Sequence, residues 1–221
     1  MFDLDLIISP PQEAFIWFIP LIVAGVGLAG VVTIAVITSD VEPVSGKTIA
    51  VLGMQGAGKT QFLAHLRNMS YKTLSASLGV EKYSTFSTKI GGRKVEIEGG
   101  MDIPGGDEYI RAYYADLIKK NETIFFFFNT HMYLSDEIYN LNTRARLDFI
   151  NDRIKGSNKK VVIIGTFADQ FEDDNKRKNA FNKILNSVNN KPYGPLFKIN
   201  FAILDMRNKE MIFDFLAKIF V

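Results

Sequence analysis

The chain of 221 residues contains no cysteine. That excludes a disulfide framework and thiolate metal centres, and it fits a reducing compartment. Histidine is almost as scarce. His65 and His131 are the two present, and they lack the spacing of a metal-ligand pair, so both read as structural. Basic residues are missing from an entire segment. Residues 1–46 hold five acids (Asp3, Asp5, Glu13, Asp40 and Glu42) and no Lys or Arg. Residues 47–221 therefore carry all 26 bases and the other 19 acids, a net charge of +7 hidden inside an overall +2. A split of this kind reports topology or partners rather than fold. Internal repeats, low-complexity tracts and basic–aromatic platforms are also missing, which argues against a solenoid or a nucleic-acid module.

Charge is absent altogether from residues 14–38, an apolar run of 25 residues. As a helix it would extend roughly 37 Å, enough to cross a hydrocarbon core of about 30 Å with some tilt. A soluble helix of this length would show a polar stripe, and none is visible. The main rival is a cleaved signal peptide, which would have a basic leader and a shorter apolar core. Here the leader, residues 1–13, is acidic. The expectation is one transmembrane helix, kinked at Pro20 as lipid-embedded helices tolerate. Bases begin only after it, with Lys47, Lys59 and Arg67. Such bases are retained in the cytoplasm, so the N-terminus should face out and the rest of the chain in. Within the run, Gly25, Gly27 and Gly30 spell a dinucleotide fingerprint, but the flanking strand and acid it requires are missing. Gly25 and Ala29 form a small-residue pair that suits close helix packing, or simply reflect the small residues common in membrane helices.

After a linker at 39–46, strand-like and helix-like stretches alternate to the end. Strands are expected at 47–53, 84–90, 93–102, 123–129, 160–167 and 197–204. Helices are expected at 59–70, 107–120, 135–155, 173–189 and 208–220. Gly91 and Gly92 mark a hairpin. This alternation predicts an α/β domain at 47–221 with a six-stranded, mostly parallel sheet covered by helices on both faces.

The chemistry concentrates in four loops. Gly53, Met54, Gln55, Gly56, Ala57, Gly58, Lys59 and Thr60 match GxxxxGK[ST] without a mismatch, after a hydrophobic strand and before a helix. Glycines there let backbone N–H groups curl around phosphates at a helix N-terminus. Lys59 reaches the β- and γ-phosphates, and the Thr60 hydroxyl is a Mg²⁺ ligand. Forty-odd residues on, Asp102, Ile103, Pro104 and Gly105 form DxxG: a carboxylate for Mg²⁺ and an N–H at Gly105 for a γ-phosphate. Glu96 and Glu98 before it read as solvated residues rather than ligands. Phe125, Phe126, Phe127 and Phe128 read as core, and Lys119, Lys120, Lys176, Arg177 and Lys178 as solvated helix faces. The basic domain also suits attraction to anionic lipid headgroups.

With these two motifs in register, residues 46–221 resemble the Ras-like P-loop GTPase superfamily. A membrane helix and short linker ahead of the domain make the architecture similar to that of signal-recognition-particle receptor β-subunits. The resemblance implies a base-reading element at Thr166, Phe167, Ala168 and Asp169. There the Asp169 carboxylate accepts from guanine N1–H and its exocyclic amine, a donor pair adenine lacks. Thr166 takes the place of the usual Asn, and Phe167 that of a Lys whose stem packs on the base; its ring either stacks there or turns into the core. The last base-side element would follow the 197–204 strand, but Leu204, Asp205, Met206 and Arg207 do not match it. The resemblance also implies a Mg²⁺-binding hydroxyl in the 71–85 loop. Ser77, Leu78, Gly79 and Val80 look most like that stretch, which makes Ser77 the first candidate and Thr73 the second.

One departure bears on turnover. The family's water-orienting Gln follows the DxxG glycine, and Gly106 stands there. Slow hydrolysis is expected unless Gln55 or a partner supplies the group. The cofactors implied are GTP or GDP with Mg²⁺, and the partners are the bilayer and a protein reading the switch surface. The leading reading is a membrane-anchored GTP-dependent switch. The alternatives are a non-hydrolysing, GTP-bound membrane receptor or scaffold that recruits a soluble partner, and a membrane ATPase component.

Overall fold

The structure is a computed structural model that describes residues 44–70 and 79–220. The apolar run at 14–38, the candidates Thr73 and Ser77, and most of the linker lie outside the described residues. Among the described residues, no helix is long and apolar enough to cross a membrane.

The chain forms an α/β fold with a parallel central sheet. In order it runs β1 (Val44–Lys47), β2 (Ile49–Gly53), α1 (Lys59–Leu66), β3 (Glu81–Tyr83), β4 (Phe86–Ile90), β5 (Arg93–Ile97) and β6 (Gly100–Asp102). A nearly continuous helical stretch follows: α2 (Asp107–Tyr109), a π-turn (Ile110–Tyr114) and α3 (Ala115–Lys120). Then come β7 (Thr123–Asn129), α4 (Thr130–Ser135), α5 (Glu137–Ile154), β8 (Lys160–Thr166), a 3₁₀ turn (Ala168–Gln170), α6 (Asp174–Val188), α7 (Gly194–Asn200), β9 (Phe201–Ile203) and α8 (Lys209–Phe220).

Polar residues start the helices where the pattern changes period. Asn129 caps α4 by accepting from the His131 and Met132 amides, Asp136 caps α5 through Tyr139 N–H, and Asp173 caps α6 through Lys176 N–H. Helix α5 is the helix expected at 135–155, and α4 is a further short helix ahead of it, between β7 and Asp136.

The single six-stranded sheet expected from the sequence does not form. Nine strands among the described residues make a four-stranded sheet (β2-β7-β8-β9), a three-stranded sheet (β1-β5-β4) and a β3-β6 pair. The stretch 44–53 serves two sheets. Its first half pairs in parallel with β5 and its second half with β7, the change falling at Thr48 between the two strands. Residues 44–46, expected in the linker, are thus already sheet. The strand expected at 93–102 breaks into β5 and β6, which pair with different partners.

The 197–204 strand is the clearest misreading. Residues 194–200 are helix, with Pro195 in the first turn, where its missing N–H costs nothing. Tyr193, Phe197 and Phe201 are buried at roughly helical spacing, while Ile199, which strand alternation would bury beside them, is 69% exposed. Phe201–Ile203 alone pair with β8.

Strand β7 forms the centre of the core. Phe125, Phe126, Phe127 and Phe128 are fully buried, each contributing about 2 kcal/mol of apolar burial. Phe62 of α1 packs on Phe125 and Phe127 at centroid distances of 5.1 and 5.0 Å. Burial of α1 against β7 fixes the helix that follows the 53–60 loop. Strands β2, β7, β8 and β9 run in parallel, so the loops 53–60, 166–170 and 204–208 gather at their carboxyl ends. That is where open α/β sheets bind ligands.

Candidate functional site

The 53–60 loop turns through left-handed backbone at Gly56 (φ +67°) and Gly58 (φ +81°), positions that a side chain would strain. Gly53 is required for a different reason. A Cβ there would lie 2.1 Å from the Phe127 carbonyl oxygen, so any larger residue would push β2 off β7. Ala57 is buried, and Gln55 is exposed at the loop's crest.

Lys59 opens α1 with its side chain folded back into the loop. Its Nζ donates to the Met54 carbonyl at 2.9 Å, and the residue is 6% exposed. Burial lowers the ammonium from its usual range to about 8, with Asp102 opposing the shift and Arg146 adding to it. A poorly solvated ammonium inside a glycine-rich turn is a strong site for an anion. Phosphate oxygens beside it would stabilise the ammonium and raise it back toward its usual range.

Thr60 points the other way. Its Oγ1 donates to Asp102 Oδ2 at 2.8 Å, joining the start of α1 to the end of β6. Cis ligands of an octahedral Mg²⁺ at 2.0–2.1 Å stand about 2.9 Å apart, so this oxygen pair fits two neighbouring corners of such a sphere. Among the described residues there is no group of three or more His, Asp or Glu that could hold a metal. The donor set therefore suits a hard cation that takes most of its oxygens from phosphate and water.

Gly105 lies directly against the loop. A Cβ at this position would fall 2.3 Å from the Gln55 nitrogen and 2.4 Å from the Met54 carbonyl carbon. The two phosphate-side motifs found forty residues apart are thus in backbone contact. Gly106 has ordinary extended backbone, and the Glu108 carboxylate occupies the space its side chain would take.

Two buried side chains hold this arrangement, and the sequence reading missed both. Arg146 of α5 is 5% exposed. Its Nη1 donates to the carbonyls of Gly53 (3.0 Å) and Gly105 (2.8 Å), and its Nη2 pairs with Asp107 at 2.7 Å. Tyr114 of the π-turn accepts from Gly53 N–H at 2.9 Å and donates to the Gly53 carbonyl at 3.2 Å. Burial raises the Tyr114 phenol, against the lowering effect of Arg146, so it keeps its proton to donate. A signal for Arg146 was present: α5 buries Tyr139, Thr143, Leu147 and Ile150 on one stripe, and Arg146 falls inside it. A charge in a buried stripe needs a partner.

At the other side of the site, the Asp169 carboxylate is paired with the Arg207 guanidinium at 2.9 Å, and Arg207 also pairs with Asp205 at 3.1 Å. Phe167 takes a left-handed conformation (φ +64°), turning the chain from β8 into the 3₁₀ turn that carries Asp169. Thr166 is buried, and its hydroxyl donates to the Phe128 carbonyl at 3.1 Å, which anchors the strand end. The 204–208 loop joins the site despite matching no motif. A Cβ at Gly58 would meet Met206 Cγ at 2.8 Å, and His65 Nε2 is bonded to the Met206 carbonyl at 2.8 Å.

The structure therefore brings Gly53, Gly56, Ala57, Gly58, Lys59, Thr60, Asp102 and Gly105 together, with Asp169 on a neighbouring loop. Ser77 lies outside the described residues. No protein-family model matches the chain, and no curated protein matches it.

Proposed function

We propose that the chain is a membrane-anchored guanine-nucleotide switch of the P-loop GTPase type. The observation that supports this most is the convergence of Lys59, Thr60, Asp102 and Gly105 about one glycine-rich turn. Amides of the 53–60 loop and the Lys59 ammonium would bind the β- and γ-phosphates. Mg²⁺, held by Thr60 and Asp102, would neutralise phosphate charge. Asp169 would read the guanine edge after releasing Arg207. Residues 14–38 would anchor the domain on the cytoplasmic face of a membrane, leaving the loops at 71–85 and 102–108 for a protein partner that distinguishes the nucleotide states.

A second reading is a receptor or scaffold that holds GTP without turning it over. Gly106 favours it, because no side chain at that position can orient water. Single-turnover hydrolysis by the full chain in detergent separates the two. A switch should release phosphate on the order of 10⁻⁴ s⁻¹, the intrinsic rate of a GTPase lacking its activator. Bound GTP that survives for days would favour the scaffold, and a rate above roughly 10⁻² s⁻¹ would show that Gln55 or Glu108 already orients the water. Failure to bind either GTP or ATP would remove both readings.

A further inference from the structure

Strands β4 and β5 form a hairpin whose tip carries three bases and no acid. The turn is Gly91-Gly92, both in left-handed conformation (φ +56° and +78°), the two-residue geometry that locks strands in register. That register sets Lys89 directly opposite Lys94, with Arg93 next in line opposite Ile90. All three bases are exposed. Like charges facing each other across an antiparallel pair oppose hairpin formation, and none of the ion pairs among the described residues relieves them. The first acid along the same face is Glu96, opposite Ser87 and two pairs further from the tip than Lys89 and Lys94. Two lysines near this end of the central sheet are engaged elsewhere: Lys159 Nζ donates to the Lys119 and Asn121 carbonyls, and Lys160 Nζ to that of Ile219.

The hairpin's position gives these bases a partner. Strand β1 runs parallel to β5 with Val44 beside Val95, so the chain joins the domain one residue along from Lys94. Val44 is six residues beyond Thr38, the end of the apolar run. Even fully extended, six residues reach about 20 Å. The hairpin tip and the bilayer surface are thus tied within that distance, while the 53–60 loop lies at the opposite end of the same strands.

We propose that Lys89, Arg93 and Lys94 form a docking surface for anionic lipid headgroups, seating the domain with its nucleotide end away from the bilayer. This surface depends on the membrane-anchored reading above. A base close to an anionic surface strengthens attraction by about fivefold, and the effect fades within a Debye length.

The absence of cysteine makes the test direct. A Ser87→Cys variant of the full chain takes a single dye on the face shared with Lys89 and Lys94, and is reconstituted into vesicles with an acceptor on a trace of headgroups. Energy transfer should be clearly higher with about 30 mol% phosphatidylserine than with phosphatidylcholine alone, and roughly 0.5 M KCl should abolish the difference. Combining Lys89→Gln, Arg93→Gln and Lys94→Gln should abolish it too, without loss of thermal stability, since the variant relieves the Lys89–Lys94 repulsion. Equal transfer in both lipid compositions, from chains that float with the vesicles after carbonate washing, overturns the docking surface alone. Chains that do not float with either vesicle overturn the membrane anchor, and the docking surface with it.

Discussion

The guanidinium of Arg146 donates to the carbonyls of Gly53 and Gly105 at once, so one buried cation fastens the first residue of the glycine-rich loop to the DxxG loop. Asp107 completes the clamp from the start of α2. The two loops that would grip phosphate are therefore positioned by a helix that touches neither motif in sequence.

Arg146→Ala should lower stability by about 3 kcal/mol, because two buried carbonyls lose charge-assisted partners. It should also speed nucleotide dissociation at least about tenfold. Arg146→Lys should recover part of the stability but not the rate, since an ammonium lacks the planar fork. Urea unfolding and stopped-flow release of a fluorescent nucleotide check both. An unchanged release rate in Arg146→Ala would mean that the clamp holds only the fold.

Lys59 gives the chain a pH signature. Its ammonium titrates near 8 in the fold, mainly through burial, and near 10.5 when unfolded. Between those values the unfolded chain binds more protons, so stability contributed by this residue rises with pH across that window. Below pH 8 the full penalty of burying the cation is present, on the order of a few kcal/mol. Lys59→Met should accordingly stabilise the protein without nucleotide at about pH 7, and lose that advantage by about pH 10. The same variant should fail to bind nucleotide. Denaturant titrations at the two pH values decide it, and a destabilised Lys59→Met at neutral pH would contradict the assignment.

The pairing of Arg207 with Asp169 competes with guanine for the same carboxylate. Arg207 is well exposed, so the pair is worth less than about 1 kcal/mol. Arg207→Ala should tighten GTP binding by roughly twofold to fivefold and leave ATP binding unchanged. Asp169→Asn should weaken GTP binding by at least about tenfold. Equal effects on both nucleotides would remove Asp169 from base recognition.

Much of this site was legible in the sequence because motif residues act through local backbone. The 53–60 turn needs its glycines whatever surrounds it, and a hydrophobic strand followed by a helix announces the loop's context. The hairpin at Gly91 and Gly92 was legible for the same reason. What escaped depends on distant partners. Whether 197–204 is strand or helix turned on burying Phe197 and Phe201 against β8 while exposing Ile199, and FKINFAIL satisfies the strand pattern as well. The number of sheets turned on a change of pairing partner at Thr48, which leaves no local trace. Tyr114 acts across a separation of 61 residues and Arg207 through a loop without a motif, so no spacing could reveal them. Arg146 shows in the sequence only as a charge in an apolar stripe, its partners lying 41 and 93 residues away. The spacing of the loop marks Lys59 as a residue that reaches phosphate, but its burial against the Met54 carbonyl depends on the folded turn and leaves no mark in the sequence.

Equilibrium binding of GTP and ATP to the full chain, each with and without Mg²⁺, tests the central claim most directly. Calorimetric titration should give one site that prefers GTP by at least about tenfold, because Asp169 can accept two hydrogen bonds from guanine and none from adenine. Chelating Mg²⁺ should weaken GTP binding markedly, since Thr60 and Asp102 then lose their shared ion. Binding of ATP as tightly as GTP, or GTP binding indifferent to Mg²⁺, would contradict the assignment.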